Sequence, residues 1–461
     1  MDAQIKENKM GTMKIPKLLF SISVPIIISM LVQALYNIVD SVFVANYDSV
    51  AGTGALTLAF PIQTLMIAVA TGFGVGMNAL LSRALGQKNK EKADLAAGQG
   101  MFLTACAYLV FLVFGLFITK PFVAMQADEG SLLYQYSVDY ISVVSIFSIG
   151  VFIQVTSERL LQATGKSVLS MITQLSGAVT NIILDPILIF GLLGAPEMGV
   201  KGAAIATVIG QAVSATVGLV LNFTVNREIT IKLKNFVPKL RILGEMLAIG
   251  VPSVLMQAIG SVMTFTMNNI LLGFKEVGEA ALNVFGIYFK LQSFIFMPIF
   301  GLNNGMIPII AYNYGAQKKE RIYKTMKLAA ITAVSYMLLG FAVFQIIPGV
   351  LLGFFNASPL MLEIGTTALR IISISFMLAG FSIISISTCQ ALGKSIYSLI
   401  VSVVRQLVIL IPAAYLLSLS GKVNLVWWAF PIAELVGCTS CIIFVNIVLK
   451  KTVSHIKSSA Q

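Results

Sequence analysis

The chain has 461 residues, of which 57% are hydrophobic and only 11% are charged. Soluble globular proteins carry roughly a quarter charged residues, so neither this composition nor the mean hydropathy of +0.91 fits a water-soluble domain. The cysteines Cys106, Cys389, Cys438 and Cys441 all lie in apolar stretches and define no disulfide framework. The sequence therefore predicts an integral membrane protein and excludes disordered, collagen-like and disulfide-stabilised classes.

Apolar stretches of about 20 residues or more, separated by polar turns, predict an all-α protein with twelve transmembrane helices. In chain order they fall near 16–45, 55–83, 94–118, 133–158, 166–193, 201–224, 245–273, 280–310, 324–347, 366–390, 396–418 and 424–448. A polar connection at 225–244 separates two sets of six. The predicted organisation is an N-terminal lobe with a short N-terminus (1–224), a cytoplasmic linker (225–244), a C-terminal lobe (245–449) and a cytoplasmic tail (450–461).

The net charge of +12 comes from 31 Lys and Arg against 19 Asp and Glu, and most of the basic residues fall in the even-numbered connections and at both ends. The positive-inside bias therefore predicts a multi-pass protein of the plasma membrane with both termini in the cytoplasm. A nucleic-acid partner is not needed to explain the charge. The first apolar segment is too long for a signal peptide and contains Asp40, so it is predicted to be a helix of the mature protein.

Shifting the second half back by about 228 positions reveals an internal repeat. The clearest match joins residues 162–167 (QATGKS) to residues 390–395 (QALGKS), and residues 23–25 (SVP) meet residues 250–252 (GVP). Because six helices is an even number, both lobes enter the membrane from the same side. The repeat is thus parallel, with a pseudo-two-fold axis along the membrane normal, as is typical of secondary transporters.

Motifs along the chain connect this pattern with a known family. They are Pro25 followed by residues 36–40 (YNIVD), the glycine-rich end of the second helix leading into Gly86-Gln87, the turn at 162–166, and residues 181–186 (NIILDP). With these motifs in order over nearly its whole length, the chain resembles the multidrug and toxic compound extrusion (MATE) family, and in particular its bacterial multidrug efflux members. The resemblance implies two pseudo-symmetric six-helix bundles and a secondary active antiporter, not an enzyme. It also implies alternating access, with export of lipophilic cations against inward protons or sodium.

Charged residues inside a membrane are costly and are candidates for function. Gln33, Asn37 and Asp40 form one stripe on the first helix, because they are spaced i, i+4 and i+7. Two carboxylates in an apolar lobe titrate as a coupled pair, so a proton or a cation can be taken up on one side and released on the other. We therefore predict a cation-coupling site at Asp40, Asp185, Asn37 and Asn181, with the proton preferred over sodium and no cofactor or metal.

A second stripe on the fifth helix supplies the partner carboxylate. Gln174, Asn181 and Asp185 line one side, and Gly177 between them allows a neighbouring helix to approach closely. The alternative is a purely structural role, in which the aspartates are only hydrogen-bonded packing residues. The repeat argues against it, since the equivalent positions in the second half are Met267 and Ala413. The MATE resemblance agrees, because acidic residues on the first and fifth helices serve coupling in one branch of the family.

Aromatic and methionine side chains on helices expected to border a cleft indicate lipophilic organic cations as substrates. The predicted substrate-binding residues are Tyr36, Gln33, Gln154, Glu158, Met263, Thr264, Asn268 and Lys290. For Glu158 a solvated helix end is an equal alternative, and Lys290 either pairs with a carboxylate or lines the cleft. Arg405 and Glu434 are predicted to form a structural ion pair instead.

A lipid-linked sugar flippase of the same two-lobed architecture is the main rival function. Such a carrier has to neutralise a buried diphosphate with several Lys or Arg residues, and only Lys290 and Arg405 are available inside the helices. A passive channel would have no use for paired lobes with buried titratable groups. The expected partners are lipophilic cationic small molecules, a coupling cation and the lipid bilayer, with no nucleic acid, and the chain is expected to act as a monomer.

Overall fold

The computed structural model describes residues 8–355 and 357–456, and within these ranges the regular structure is entirely helical. Ten helices are long and apolar enough to cross a membrane, and two bent helix pairs bring the number of spans to the predicted twelve. The spans are α1 (Ile15–Tyr47), α2 (Ala51–Gly86), α3 (Lys90–Ala124), α4 (Leu132–Ile146 with Ile149–Ala163), α5 (Ser167–Phe190), α6 (Gly199–Thr224), α7 (Leu240–Leu272), α8 (Gly278–Gly315), α9 (Lys319–Ile346), α10 (Pro359–Ser373 with Phe376–Ala391), α11 (Ser395–Ser418) and α12 (Val423–Thr452). Shorter helical segments lie at Lys9–Thr12, Leu192–Gly194, Leu233–Phe236 and Pro348–Gly353.

Two of the spans are broken where the sequence predicted continuous helices. The α4 segments meet at 46° and the α10 segments at 48°. Serines sit at both breaks: Ser148 N–H bonds back to the Ser145 carbonyl (3.3 Å), and the Ser375 hydroxyl donates to the Ile372 carbonyl (2.7 Å). Serine pairs of this kind are a known cause of helix kinks. The apolar run continues through each break, so hydropathy alone does not reveal it.

The internal contacts divide the chain into two compact units. We call residues 24–250 the N-terminal unit, and residues 1–23 together with 251–461 the C-terminal unit. The division falls inside α1 and inside α7, so each of these helices contributes to both units. Within the N-terminal unit, α5 packs closely on α6, and a Cβ added at Gly177 would lie 2.6 Å from the Gly210 carbonyl oxygen. The predicted close approach at Gly177 is therefore confirmed.

The repeated motifs adopt the same backbone turn in both halves. Gly165 and Gly393 have φ of +80° and +76°, which glycine reaches without strain. The following lysines, Lys166 and Lys394, donate N–H hydrogen bonds of 2.8 Å to the Leu161 and Cys389 carbonyls. The repeat read from the sequence therefore extends to local geometry.

The connection between α6 and α7 packs on the N-terminal unit through side chains of α3. Asp94 Oδ1 accepts a hydrogen bond from Thr230 N–H (2.7 Å), and Gln99 Nε2 donates to the Asn235 carbonyl (2.6 Å). Lys166 Nζ in the α4–α5 turn donates to the Val225 carbonyl (2.6 Å). The segment predicted as a linker is thus bound to one unit through much of its length.

Candidate functional site

Asp185 is the centre of a polar cluster on α5 and α6 of the N-terminal unit. Its side chain is fully buried, and its Oδ1 accepts a hydrogen bond from Asn181 Nδ2 (3.1 Å). The same Asn181 amide lies 3.4 Å from Thr207 Oγ1 on α6. Because residues 181 and 185 are one turn apart, they face the same side of α5. The stripe predicted on this helix therefore forms a connected polar site.

Asp40 on α1 belongs to the same unit and is only 8% exposed. It lies close enough to Asp185 for the two carboxylates to interact electrostatically. Within the described residues, Asp40 Oδ1, Asn181 Oδ1 and Asp185 Oδ2 are buried without a hydrogen-bond partner, and neither aspartate has an ion-pair partner. Three buried acceptors without donors are energetically unfavourable. A proton or a small cation would satisfy them.

A small pocket next to this cluster connects it with α4. Tyr36, Gln154, Gln174 and Asn181 are among the residues that line it. Its volume of about 10 Å³ is at the lower limit for a single water molecule. The pocket therefore has room for a water-sized group but not for an organic substrate.

Gln154 on α4 lines the pocket and forms hydrogen bonds with two other residues of the predicted polar stripes and substrate site. Its Nε2 donates to Gln174 Oε1 (2.8 Å) on α5 and to Glu158 Oε1 (3.1 Å) one turn further along α4. Arg159 is engaged separately, because its Nη1 donates to Gln162 Oε1 (3.0 Å). Polar groups thus follow one another from the pocket towards the end of α4.

The other predicted residues of α1 are less enclosed. Gln33 is half-buried and lies within reach of the Tyr36 hydroxyl group, whereas Asn37 is exposed. Asn37 therefore lies on the stripe with Asp40 but outside the buried cluster, and its coupling role stays a prediction.

A much larger cavity lies in the C-terminal unit. Thr264 and Asn268 of α7 and Lys290 of α8 line it together with aromatic side chains, and its volume is about 460 Å³. That size falls within the roughly 300–1,000 Å³ typical of small-molecule sites. Lys290 Nζ lies 5.8 Å from the centre of the Phe355 ring. Met263 is half-buried and is not among the lining residues, so the predicted substrate-binding residues divide into separate groups in the two units.

The charged pair predicted in the second half is confirmed. Arg405 Nη1 on α11 donates to Glu434 Oε2 on α12 at 3.0 Å, with both side chains largely buried. Arg405 stands in a π-helical segment at Val404–Leu410. Its guanidinium group is therefore committed to a carboxylate within its own unit.

The sequence did not predict the polar residues that join Asn181 to α2 and the first segment of α4. Thr207 contacts Asn181, and Tyr140 is buried, accepting a hydrogen bond from Gln63 Nε2 (3.2 Å) while lying within hydrogen-bonding reach of Thr207. The sequence could have indicated Thr207, because it lies on the same face of α6 as the small residues Ala203 and Gly210, which allow close helix packing. Nothing in the local sequence indicates Gln63.

The helical spans, the two units and the buried polar cluster together define a multi-pass membrane protein with a repeated architecture. A family model described as MatE matches residues 25–187 and again residues 252–416, once in each half. The chain therefore belongs to the MatE family, whose members are transporters and not enzymes.

Individual relatives match along nearly the whole chain. The multidrug export protein MepA of Staphylococcus haemolyticus (strain JCSC1435) is 28% identical over 444 residues, covering 96% of both chains. The protein of the same name from Staphylococcus aureus (strain MRSA252) is 27% identical over 91% of this chain and 90% of its own length. A solved structure of a multidrug resistance MATE family transporter in an outward-facing conformation aligns with a TM-score of 0.89 at 24% identity, over 97% of this chain and 99% of that one. This likeness shows that the fold is shared.

Proposed function

We propose that the protein is a multidrug efflux antiporter that exports lipophilic organic cations in exchange for an inward-moving cation. Membership of the MatE family and the similarity to two proteins named as multidrug export proteins support the transported class. The internal repeat supports alternating access to the two sides of the membrane, which is typical of transporters built from such repeats.

One observation carries the antiport proposal: the buried aspartates of the N-terminal unit have no cationic partner in the described chain. Asp40 and Asp185 are both buried and interact electrostatically with each other. Keeping both carboxylates ionised in this buried position is unfavourable. A cation that neutralises them from one side of the membrane and is released to the other side can therefore drive transport.

The proton is the preferred coupling ion. A hard metal cation is usually surrounded by about six oxygen atoms. The cluster offers three buried oxygens without hydrogen bonds, namely Asp40 Oδ1, Asn181 Oδ1 and Asp185 Oδ2. A proton needs only one carboxylate oxygen and can be shared between the two aspartates. Asn181 then positions Asp185 by donating to Oδ1, which leaves Oδ2 open for the proton.

The C-terminal cavity fits the apolar part of a substrate. Phe285, Phe289 and Phe355 offer ring faces, and Met361 adds a flexible thioether. Among the described residues that line the cavity, Lys290 is the single charged one. Flat apolar groups are therefore favoured there, while a second positive charge on the same substrate is disfavoured near Lys290.

Proteoliposomes with an imposed gradient test the proposal. Inward-directed proton gradients should drive movement of ethidium, whereas an equal sodium gradient at matched pH should not. Sodium-driven movement that ignores a pH jump would identify sodium as the coupling ion. Scrambling of a fluorescent lipid without dye movement would favour the flippase instead, although Arg405 is already paired with Glu434.

The same proposal places the protein in the plasma membrane as a monomer with both termini in the cytoplasm. The distribution of Lys and Arg over alternate connections supports this orientation. Cysteines introduced at Lys90 and Lys422, with the native cysteines replaced, should be labelled from opposite sides by a membrane-impermeant maleimide. Labelling of both positions from one side contradicts the orientation.

A further inference from the structure

A groove in the C-terminal unit lies between the start of α1 and one face of α9, away from the cavity described above. Its basic side chains are Lys14, Arg321, Lys324 and Lys327, and its apolar ones include Leu328 and Ile331. The groove has a volume of about 520 Å³. It is therefore comparable in size with the cavity that contains Lys290.

Hydrogen bonds to the backbone before α1 fix one wall of this groove. Arg321 Nη2 donates to the carbonyls of Met10 (3.0 Å) and Met13 (2.8 Å), and Lys318 Nζ donates to the Gly11 carbonyl (2.9 Å). The Met10 side chain is completely buried. Lys14, which follows this segment directly, is thus held at the groove by a defined structure.

Charge and hydropathy change in the same order along α9 and along the start of α1. On α9, Lys324 and Lys327 precede Leu328 and Ile331 on one face, and Ile331 is 53% exposed. Lys14 immediately precedes α1, and Lys17 and Phe20, the latter 45% exposed, lie in the first two turns of that helix. Both helices therefore carry ammonium groups near this end and exposed apolar side chains one to two turns further into the span.

Acidic residues compensate this positive charge only in part. Glu320 Oε2 lies 3.6 Å from Lys324 Nζ, in an exposed i,i+4 pair of the kind that contributes little. The Arg321 guanidinium group donates hydrogen bonds to backbone carbonyls. Lys14, Lys324 and Lys327 are the other basic residues that line the groove. An anionic group bound between them would gain charge-assisted hydrogen bonds from several lysines.

We propose that this groove binds one anionic phospholipid, with its phosphate among Lys14, Lys324 and Lys327 and an acyl chain along Leu328 and Ile331. Juxtamembrane lysines attract anionic headgroups, and basic pockets beside membrane helices are typical lipid sites. A free phosphate would use only the basic end. The exposed apolar wall gives a lipid additional contact that a soluble anion lacks.

Native mass spectrometry of the full-length protein in detergent tests this site. Titration with phosphatidylglycerol should show one lipid retained more tightly than phosphatidylcholine. The variant Lys14→Gln/Lys324→Gln/Lys327→Gln should weaken that first binding event on the order of a hundredfold, since each lysine near an anionic headgroup contributes about fivefold. The matched variant Lys90→Gln/Lys232→Gln/Lys234→Gln removes equal charge from exposed positions of the N-terminal unit and should leave it unchanged.

Further arms separate a lipid site from a simple anion site. Inorganic phosphate at the same concentration should not displace the lipid, and Ile331→Gln, which keeps every lysine, should weaken dioleoyl phosphatidylglycerol. Equal retention of phosphatidylcholine, or full competition by inorganic phosphate, overturns the proposal. If the triple variant does not fold, as judged by its melting temperature without lipid, Lys327→Gln and Ile331→Gln alone provide the same comparison.

Discussion

Asp40 and Asp185 differ from Glu434 and Glu245 in what surrounds them. Glu434 has Arg405 at 3.0 Å and Glu245 has Lys92 at 2.8 Å, so their charges are balanced locally. The two aspartates have each other and the amide of Asn181. At the scale of the residue, this is the arrangement in which gaining or losing one proton changes the energy of the site most.

Replacing either aspartate by asparagine should therefore uncouple transport without unfolding the protein. Asp185→Asn and Asp40→Asn keep the side-chain shape and remove a buried charge, so ethidium binding should persist while proton-driven efflux from proteoliposomes falls by about tenfold or more. Because two interacting carboxylates are expected to titrate as a unit, the double variant should be little worse than either single one.

Asp48 supplies the matched control for these variants. It lies in the connection before α2, where its Oδ1 accepts hydrogen bonds from Val50 N–H (2.9 Å) and Ala51 N–H (2.8 Å). Those backbone donors, Val50 first, hold the pKa of Asp48 below its usual value, so the group stays ionised near neutral pH. Asp48→Asn keeps an accepting oxygen and should leave coupling intact. Full proton-driven efflux by both Asp40→Asn and Asp185→Asn would refute the coupling assignment.

The Arg405–Glu434 pair makes a separate prediction about stability. Glu434→Leu leaves a largely buried guanidinium without its partner and should cost about 3–5 kcal/mol. Arg405→Met/Glu434→Leu removes both charges and should recover most of that loss. Melting temperatures in detergent of the wild type, Glu434→Leu, Arg405→Met and the double variant measure this double-mutant cycle. The half-exposed Lys201–Asp139 pair at 3.9 Å serves as the control, because breaking it should cost less than about 1 kcal/mol. Additive effects of the two single changes would show that Arg405 and Glu434 do not depend on each other.

At the scale of the helix, small residues fix how closely α5 and α6 approach. A Cβ at Gly177 would meet the Gly210 carbonyl oxygen at 2.6 Å, and backbone atoms cannot rotate away. A Cβ at Gly100 would meet Met77 Sδ at 2.1 Å, but a thioether at the end of a flexible chain can move. An added Cβ is too close to a neighbour at both glycines, but only at Gly177 is that neighbour part of the backbone.

Alanine scanning of these glycines should reveal that difference. Gly177→Ala should lower the melting temperature in detergent and disturb the site around Asn181, since α5 and α6 have to separate. Gly100→Ala should be tolerated better, and Met77→Ala should relieve what remains. Gly244→Ala is the control: it lies in α7 with no atom within 4 Å of the added Cβ, so the gain in helix propensity of up to about 1 kcal/mol should dominate. A smaller loss for Gly177→Ala than for Gly100→Ala would contradict the backbone argument.

Helices were predictable from the sequence to the extent that hydropathy determines them. The number of spans and the turns at Gly165 and Gly393 follow from apolar length and from glycine's access to positive φ. The bends in α4 and α10 do not follow, because the apolar run is continuous across Ser148 and Ser375. Side-chain partners from distant segments, such as Thr207 for Asn181, depend on helix packing that no local pattern encodes.

At the scale of the whole molecule, a repeated architecture carries different chemistry in its two halves. The matching turns and the two family-model matches make the halves alike in backbone. Met267 and Ala413 stand where the N-terminal half has Asp40 and Asp185. The N-terminal unit has the buried carboxylates and a pocket of water size, whereas the C-terminal unit has the large cavity with Lys290. The sequence predicted that the buried carboxylates lie only in the N-terminal half. The structure adds that the pocket beside them is much smaller than the cavity of the C-terminal unit.

This division predicts that coupling and substrate choice can be changed independently. Lys290→Gln removes the charge from the large cavity, so transport of a dication should rise relative to that of a monocation by about two- to fivefold, as expected for roughly 1 kcal/mol of screened repulsion. Asn268→Ala should also change which dyes are transported. Asn269→Ala should not, because Asn269 is an exposed neighbour whose Nδ2 donates to the Phe265 carbonyl (3.1 Å). None of these changes should alter the dependence of efflux on the pH gradient.

Combining the two kinds of substitution completes the test. In Lys290→Gln/Asp185→Asn, the free-energy changes for dye preference and for coupling should add, since the substituted groups belong to separate units. Initial efflux rates of a monocationic and a dicationic dye, each measured with and without a proton gradient, provide both quantities from one set of proteoliposomes. If Lys290→Gln abolishes the response to the gradient, or if Asp185→Asn changes dye preference as strongly as Lys290→Gln, coupling and recognition are not divided between the two units in this way.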